Sequence, residues 1–348
     1  MSLVNTLALE FRAQSPEFDK NEFRVTRAGA FDTFKRQSDA PSSWLTADLI
    51  EKVRRSFGNT VKLPAINYKD VTIRSTRPLT IAADENTSAL YTISFTTLAY
   101  GFKMYPQQHF NNDVTYQQDF NKKFEAMIVK MMSTLEGLAV TQLDAQKTQV
   151  IGDVTGGHTF AGNVVSETAA SLKDSYILSD LDPMMMSNDY YGMTMDVIGN
   201  PGFHSIMRRM EGFGDMNQED KTLQFMNKTM HFTNGISNAA GKKATGFAVA
   251  DGQLGIVTRV EPDSLASTRL ADGHEWGTVL VPGLDLTFGT YYYENAVDAS
   301  GLHAGTTGLT RTYEQAFDFA IDIAFLTPYN SDATTIPTPI IKFDIATS

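Results

Sequence analysis

Between Asn112 and Val150, Tyr116, Phe120, Phe124, Met127, Ile128, Met131, Leu135, Leu138, Ala139 and Leu143 recur three and four positions apart, and Gly152 ends the pattern. This is the period of one face of an α-helix. A helix of about 35 residues spans roughly 50 Å at 1.5 Å per residue, three times the ~11 to 12 residues of an average helix. Asn112 and Asp113 are its candidate caps, and Gly137 costs up to ~1 kcal/mol against Ala. The stripe lacks the flanking charge pairs of a coiled coil, so the helix is expected to be a strut for a sheet. A strand to receive it is visible later: Phe317, Phe319, Ile321, Ile323 and Phe325 alternate with Asp318, Ala320, Asp322 and Ala324. The stripe Phe120, Phe124, Ile128, Met131 and Leu135 is expected to anchor there. A polar turn with Pro328, Asn330 and Asp332 then leads to a strand at 338–346, read as the antiparallel partner that closes the chain.

The first 45 residues scatter Phe11, Phe18, Phe23, Phe31 and Phe34 among polar residues at no fixed period, which predicts an extended arm whose aromatics are buried by a partner. Thr46 is a plausible N-cap for a short helix carrying Leu49, Ile50, Val53 and Phe57, stopped by Gly58. Residues 60–103 read as strands, first a long hairpin with two solvated faces, which must lie against another surface because two strands do not hold themselves up in water. Beyond the long helix come a loop or ribbon at 153–165 and a helical stretch at 168–190, with Leu172, Tyr176 and Leu181 on one side, interrupted at Asp182–Pro183. A short strand with Met193, Met195, Val197 and Ile198 runs into Gly199-Asn200-Pro201-Gly202. Pro201 opens a helix with Phe203, Ile206, Met207 and Met210 on its apolar face. Strands follow at 223–233, 246–260 and 278–293.

A chain of 348 residues with 42% hydrophobic and 20% charged residues builds two lobes or one large elaborated domain. With 29 Lys plus Arg against 40 Asp plus Glu, net charge −11, it is poorly suited to reading nucleic acid through phosphate neutralisation. The absence of cysteine removes disulfides, thiolate metal sites and thiol nucleophiles. No stretch approaches ~18 consecutive apolar residues, and Met1 to Glu10 lacks the basic start of a signal peptide. A soluble protein made in a cytoplasm is expected, with no membrane partner.

Catalytic signatures fail one by one. Gly235 to Lys243 mimics a phosphate loop, but Gly241 comes one residue late and Lys242 precedes Lys243 rather than Ser or Thr, so a flexible loop is expected. Gly212 and Gly214 begin a dinucleotide pattern that Asn217 breaks. Asp215, Asn217 and Glu219 have calcium-loop spacing, yet Asp220 and Met226 stand where glycine and the bidentate acid belong, leaving a polar loop. His109, His158, His204, His231, His274 and His303 are far apart, with no pair on one helical face, and His274 beside Glu275 reads as a surface turn. There is no nucleophile elbow. Asp180 and Asp182 are better read as capping before Pro183 than as metal ligands. Met184 to Met186 and Tyr291 to Tyr293 suit either a subunit interface or ordinary core. The expectation is a structural protein, not an enzyme, with no catalytic, cofactor or metal site.

The order of arm, short helix, two-stranded excursion, very long helix, mixed lobe and closing strands is unusual. Together with the run Asn121 to Val150, the stretch Val197-Ile198-Gly199-Asn200-Pro201-Gly202-Phe203 and the end Phe317 to Phe343, it resembles the major capsid proteins of tailed double-stranded DNA phages, the Hong Kong 97-type α+β fold. The resemblance covers nearly the whole chain and implies an N-terminal arm at 1–45, a short helix at 46–58 and an E-loop at 59–95. It implies a peripheral (P) domain at 96–150 and 291–348, with its spine helix at 114–150, and an axial (A) domain at 151–290. The implied function is a virion subunit, assembled in the host cytoplasm, whose pentamers and hexamers close an icosahedral head around DNA touched non-specifically. Some members begin with a long charged scaffolding segment; the N-terminus here is too short for one, so a separate scaffolding protein is expected, with portal and possible decoration proteins as further partners. Others form an isopeptide between an E-loop lysine and a P-domain asparagine. Lys62, Lys69 and Asn330 have the residue types, but no cross-link is expected. An encapsulin-like cargo shell and an enzyme of unrecognised family are the alternatives.

Overall fold

The computed structural model describes residues 3–16, 28–56, 58–67, 75–76, 87–109, 113–152, 157–167, 176–190, 194–209, 215–217, 222–225, 228–266, 273–298 and 311–346. The chain divides into two compact units, one of residues 1–28, 96–136 and 258–323, the other of residues 29–95, 137–257 and 324–348.

In the first unit, helix α1 (Leu3–Gln14) places Val4, Leu7, Ala8 and Phe11 in the core. The five-stranded sheet holds β3 (Thr96–Met104), β14 (Arg311–Leu326), β13 (Leu286–Asp298) and β12 (His274–Val281), antiparallel in that order, with β11 (Gly255–Arg259) also paired to β14. Against its inner face lies the first part of the long helix (Tyr116–Gln146, 31 residues). Phe120 meets Phe317 at 5.6 Å and Phe124 meets Phe319 at 5.3 Å between ring centroids, while Ile128 and Leu135 are fully buried. The stripe therefore sits on the expected strand. The helix starts later than expected: Thr115 Oγ1 accepts from the Gln118 N–H and the Gln118 side chain accepts from the Thr115 N–H, at 3.2 and 3.0 Å. This reciprocal box replaces Asp113 as the cap; Asn112 lies outside the described residues.

In the second unit, helix α2 (Gly29–Asp39) buries Phe31 and Phe34 against Phe325. The next helix, α3 (Ala47–Arg54), begins at Thr46, whose hydroxyl accepts from the Leu49 N–H at 3.3 Å. The extended arm is thus corrected where the chain is described: Leu3–Gln14 and Gly29–Asp39 are helices, and Phe11, Phe31 and Phe34 are fully buried within the chain itself. Phe18 and Phe23 lie outside the described residues. β1 (Thr60–Ile66) and β2 (Ser88–Ser94) form the expected hairpin. Its two solvated faces are corrected to one, because Val61, Leu63, Tyr91 and Ile93 pack on Leu45, Val53, Phe95, Val257 and Leu326. The other face leaves Ile66 and Leu90 73% and 60% exposed.

The rest of this unit is an eight-stranded sheet ordered β4 (His158–Ala161), β5 (Val164–Glu167), β15 (Ile340–Ala346), β10 (Lys242–Ala250), β6 (Met195–Gly199), β9 (Lys228–Phe232), β8 (Thr222–Phe225) and β7 (Asp215–Asn217). The last of these is a strand where a polar loop was expected. β15 pairs antiparallel with β10 and parallel with β5, so the expected pairing of 338–346 with the Phe317–Phe325 strand does not occur. The link between them, 327–339, holds three prolines and is too long for a tight hairpin. Helix Tyr176–Ser187 runs through Pro183 without the expected interruption. Leu181, Met184 and Met185 on either side of the proline are buried in the core, which offsets the ~3 kcal/mol or more that an interior proline costs. Helix Pro201–Arg209 is capped by Asn200, whose Oδ1 accepts from the Phe203 N–H at 3.0 Å.

The two units cut the chain at other points than 96–150, 151–290 and 291–348. Residues 258–290 group with 96–136 because β12 and β13 continue the sheet of β14, and 324–348 group with 137–257 because β15 pairs with β10.

Candidate functional site

Among the described residues no group of three or more His, Asp or Glu side chains could hold a metal ion, and no helix is long and apolar enough to cross a membrane. Several of the buried polar groups are held by charged partners. Asp196, a lone acid in the apolar strand β6, takes the Arg36 guanidinium and accepts from Gln37 Nε2 at 2.6 Å, with His231 Nε2 3.4 Å away. Burial opposes its charge, yet His231, Arg36 and Gln37 together hold the carboxyl below the usual range. Asp180 pairs with His158 at 2.7 Å and Asp182 with the buried Lys228 at 2.6 Å. Both acids lie inside the one helix Tyr176–Ser187 rather than capping before Pro183, and they fix it to two different strands. Such pairs position elements and present no nucleophile beside a base.

Tyr91, Tyr116, Tyr190 and Tyr292 are all pushed above the ordinary phenol range, in each case chiefly by burial, which leaves them protonated hydrogen-bond donors at neutral pH. Tyr91 donates to Thr327 O and Tyr292 to Glu294. Of the two runs left open between core and interface, Met184, Met185 and Tyr292 are core, Met186 is exposed, and Tyr291 and Tyr293 are half-buried. His274 is no surface turn: it opens β12 and hydrogen-bonds the Tyr291 hydroxyl at 2.6 Å.

A cavity of about 370 Å³ in the second unit is bordered by Asn67, Tyr190, Tyr329, Asn330 and Pro337. The lining side chains are tied to one another or to backbone: Tyr329 donates to Asn67 Oδ1 at 2.7 Å, and Asn330 donates to Ile336 O at 3.0 Å. Lys62 is on the exposed face of β1; Lys69 lies outside the described residues. Among the described residues, the outer face of the β1–β2 hairpin is a surface available for recognition, where Pro64 stands opposite Leu90 and Ile66 follows. The signal for that face is in the sequence, since Ile66 and Leu90 are apolar at positions out of phase with the packed face. Asp196 has the weaker signal of one acid inside Met195-Asp196-Val197-Ile198.

No protein-family model and no curated protein matches the chain. Solved structures similar to it include a chain of Mycobacterium phage Che8, at 9% identity over 89% of this chain and 90% of that one with a TM-score of 0.49. Another is the mature capsid of bacteriophage PhiM1, at 9% identity over 85% and 84% with a TM-score of 0.46. A third is the capsid of Cyanophage P-SCSP1u, at 12% identity over 84% and 85% with a TM-score of 0.43. At these identities and scores the functional reading rests on the chain's own geometry.

Proposed function

We propose that the protein is a shell subunit, the major capsid protein of a tailed-phage head with the Hong Kong 97-type arrangement. The observation that carries the reading is the β1–β2 hairpin: one face is packed into its own unit and the other presents Pro64, Ile66 and Leu90 to solvent. An apolar face on a two-stranded ribbon marks an interaction surface, and many copies of a modest contact close a shell without any single tight pair.

In this reading the subunits form pentamers and hexamers around double-stranded DNA, the role is structural rather than enzymatic, and the virion is the location, with assembly in the host cytoplasm. A separate scaffolding protein, a portal and decoration proteins are the partners. The test is expression of the full chain with and without a scaffolding protein, followed by size-exclusion chromatography and negative-stain microscopy. Capsomers, tubes or shells are expected, and a strictly monomeric protein at high concentration with scaffold present overturns the reading. Nuclease-resistant DNA inside the particles separates a phage head from a cargo-enclosing shell.

A further inference from the structure

Successive residues of a strand face opposite sides of a sheet, so Glu314, Asp318 and Asp322 of β14 share the outer face of the first unit's sheet, away from Phe317 and Phe319. The two end members have cations. Glu314 takes Lys103 Nζ at 2.7 Å, and Asp322 takes Arg259 Nε at 2.8 Å together with the Thr97 hydroxyl at 2.6 Å. Asp318, midway between them, meets no basic side chain among the described residues. Burial pushes its carboxyl above the usual carboxylate range, opposed only by a backbone hydrogen bond at Phe319.

The surroundings of Asp318 are shaped around it. Gly101 is its neighbour on β3, where a Cβ would come within 3.0 Å of Asp318 Oδ1 and 3.3 Å of Phe317 O. Tyr291 is its neighbour on β13, backed by Trp276 at 4.8 Å and Tyr293 at 5.7 Å. Along the same face β14 offers only Ala316 and Ala320 beside it. The outcome is a carboxylate on a floor of small residues with an aromatic wall along one side.

We propose that this trough receives an arginine side chain presented by another protein, its guanidinium pairing with Asp318 and stacking on Tyr291. A planar guanidinium satisfies both walls at once, whereas a lysine ammonium satisfies the charge without the stack. The arginine comes from a different protein rather than a second copy because two copies of a chain with net charge −11 repel one another over distance. A chain of net charge −11 also favours a basic partner. The inference stands whether or not the protein builds a shell.

The experiment is fluorescence anisotropy of a labelled Gly-Arg-Gly-Arg-Gly peptide titrated with the full chain, alongside lysine and citrulline versions. Saturable binding of the arginine peptide is expected, at least about ten-fold weaker for Asp318→Asn and weaker again for the citrulline peptide. Tyr291→Leu should reduce the preference for arginine over lysine, and thermal melts of both variants confirm that each is folded. Equal binding by Asp318→Asn, or equal binding of arginine and lysine peptides, overturns the proposal. So does a peptide that fails to bind while Asp318→Asn changes the chain's own assembly, because the occupant is then a second copy.

Discussion

Gln37 donates to Asp196 Oδ2 at 2.6 Å while its own Oε1 accepts from the backbone N–H groups of Gln253 and Leu254 at 3.2 and 3.0 Å. One buried amide thus fastens helix α2 both to a strand and to a turn of the second unit. Its oxygen takes two of these bonds and its nitrogen gives the third, so both polar atoms are engaged, which is how a buried polar network stabilises rather than costs. Replacing Gln37 by Leu removes them and leaves Asp196 short of a donor, at a cost of about 2 to 4 kcal/mol. Urea unfolding of the two proteins measures it.

The same network sets an acid limit. Asp196 has a folded pKa below its unfolded value, so its contribution is fully present above the unfolded pKa of ~3.9 and is lost as pH falls through the folded value. Stability is therefore expected to change little on this account between pH 7 and 5 and to drop below about pH 4. Asp196→Asn should be less stable at pH 7 and flatten that acid limb. A variant with an unchanged limb means that other carboxylates carry it.

Ile128→Asp introduces an unpaired charge into the fully buried contact between the long helix and the sheet, a loss of several kcal/mol. Failure to accumulate as folded protein is expected on expression. Normal yield and normal melting show that the stripe is not core.

Two glycine-to-alanine changes should act in opposite directions. Gly137 is exposed in the long helix and a Cβ there meets nothing within 4 Å, so alanine should stabilise by up to ~1 kcal/mol. At Gly202 the new Cβ would lie 2.0 Å from Lys243 O, a backbone atom that cannot give way, so alanine should destabilise by about 2 kcal/mol or more. Thermal melts of the pair distinguish local fit from helix propensity.

These contrasts show where the sequence was legible. The long helix and Phe317–Phe325 stand out because their periods persist over many residues, and Gly199-Asn200-Pro201-Gly202 because each residue has a local steric duty. Val4, Leu7, Ala8 and Phe11 also follow a helical spacing, but the irregular aromatics after residue 15 obscure it and make the whole segment read as extended. Alternation shows that 338–346 is a strand without choosing its neighbour, and β10 lies some 100 residues earlier, so the pairing is decided by tertiary packing. Pro183 misleads for the same reason: a local rule is overruled by the burial of Leu181, Met184 and Met185. Asp318 reads as one polar residue in an alternating strand; only the sheet register reveals Tyr291 and Gly101 beside it.

Leu90→Asp and Ile66→Asp test the outer hairpin face. Both side chains are largely solvent-exposed within the subunit, so each change should move subunit stability by no more than about 0.5 kcal/mol. Assembly should nevertheless fall sharply, read as loss of particles by light scattering with retained melting temperature. Full assembly of both variants removes this face from the interface.

Mature particles are expected to carry no isopeptide between Lys62 and Asn330. Asn330 uses its amide within its own turn, donating to Ile336 O and accepting from the Asp332 N–H, both at 3.0 Å. Attack by a lysine on that amide also needs a carboxylate able to take the lysine proton, and such a base works best with a pKa near the working pH. The acid in this turn is Asp332, exposed and held down to about 2 by hydrogen bonds from Thr334 and Thr335, so it is a poor proton acceptor. The amide is thus engaged and the acid of its own turn is mismatched to the task. Boiled particles should run as a single subunit band on a denaturing gel, and a ladder of covalent multimers surviving that treatment would overturn this prediction.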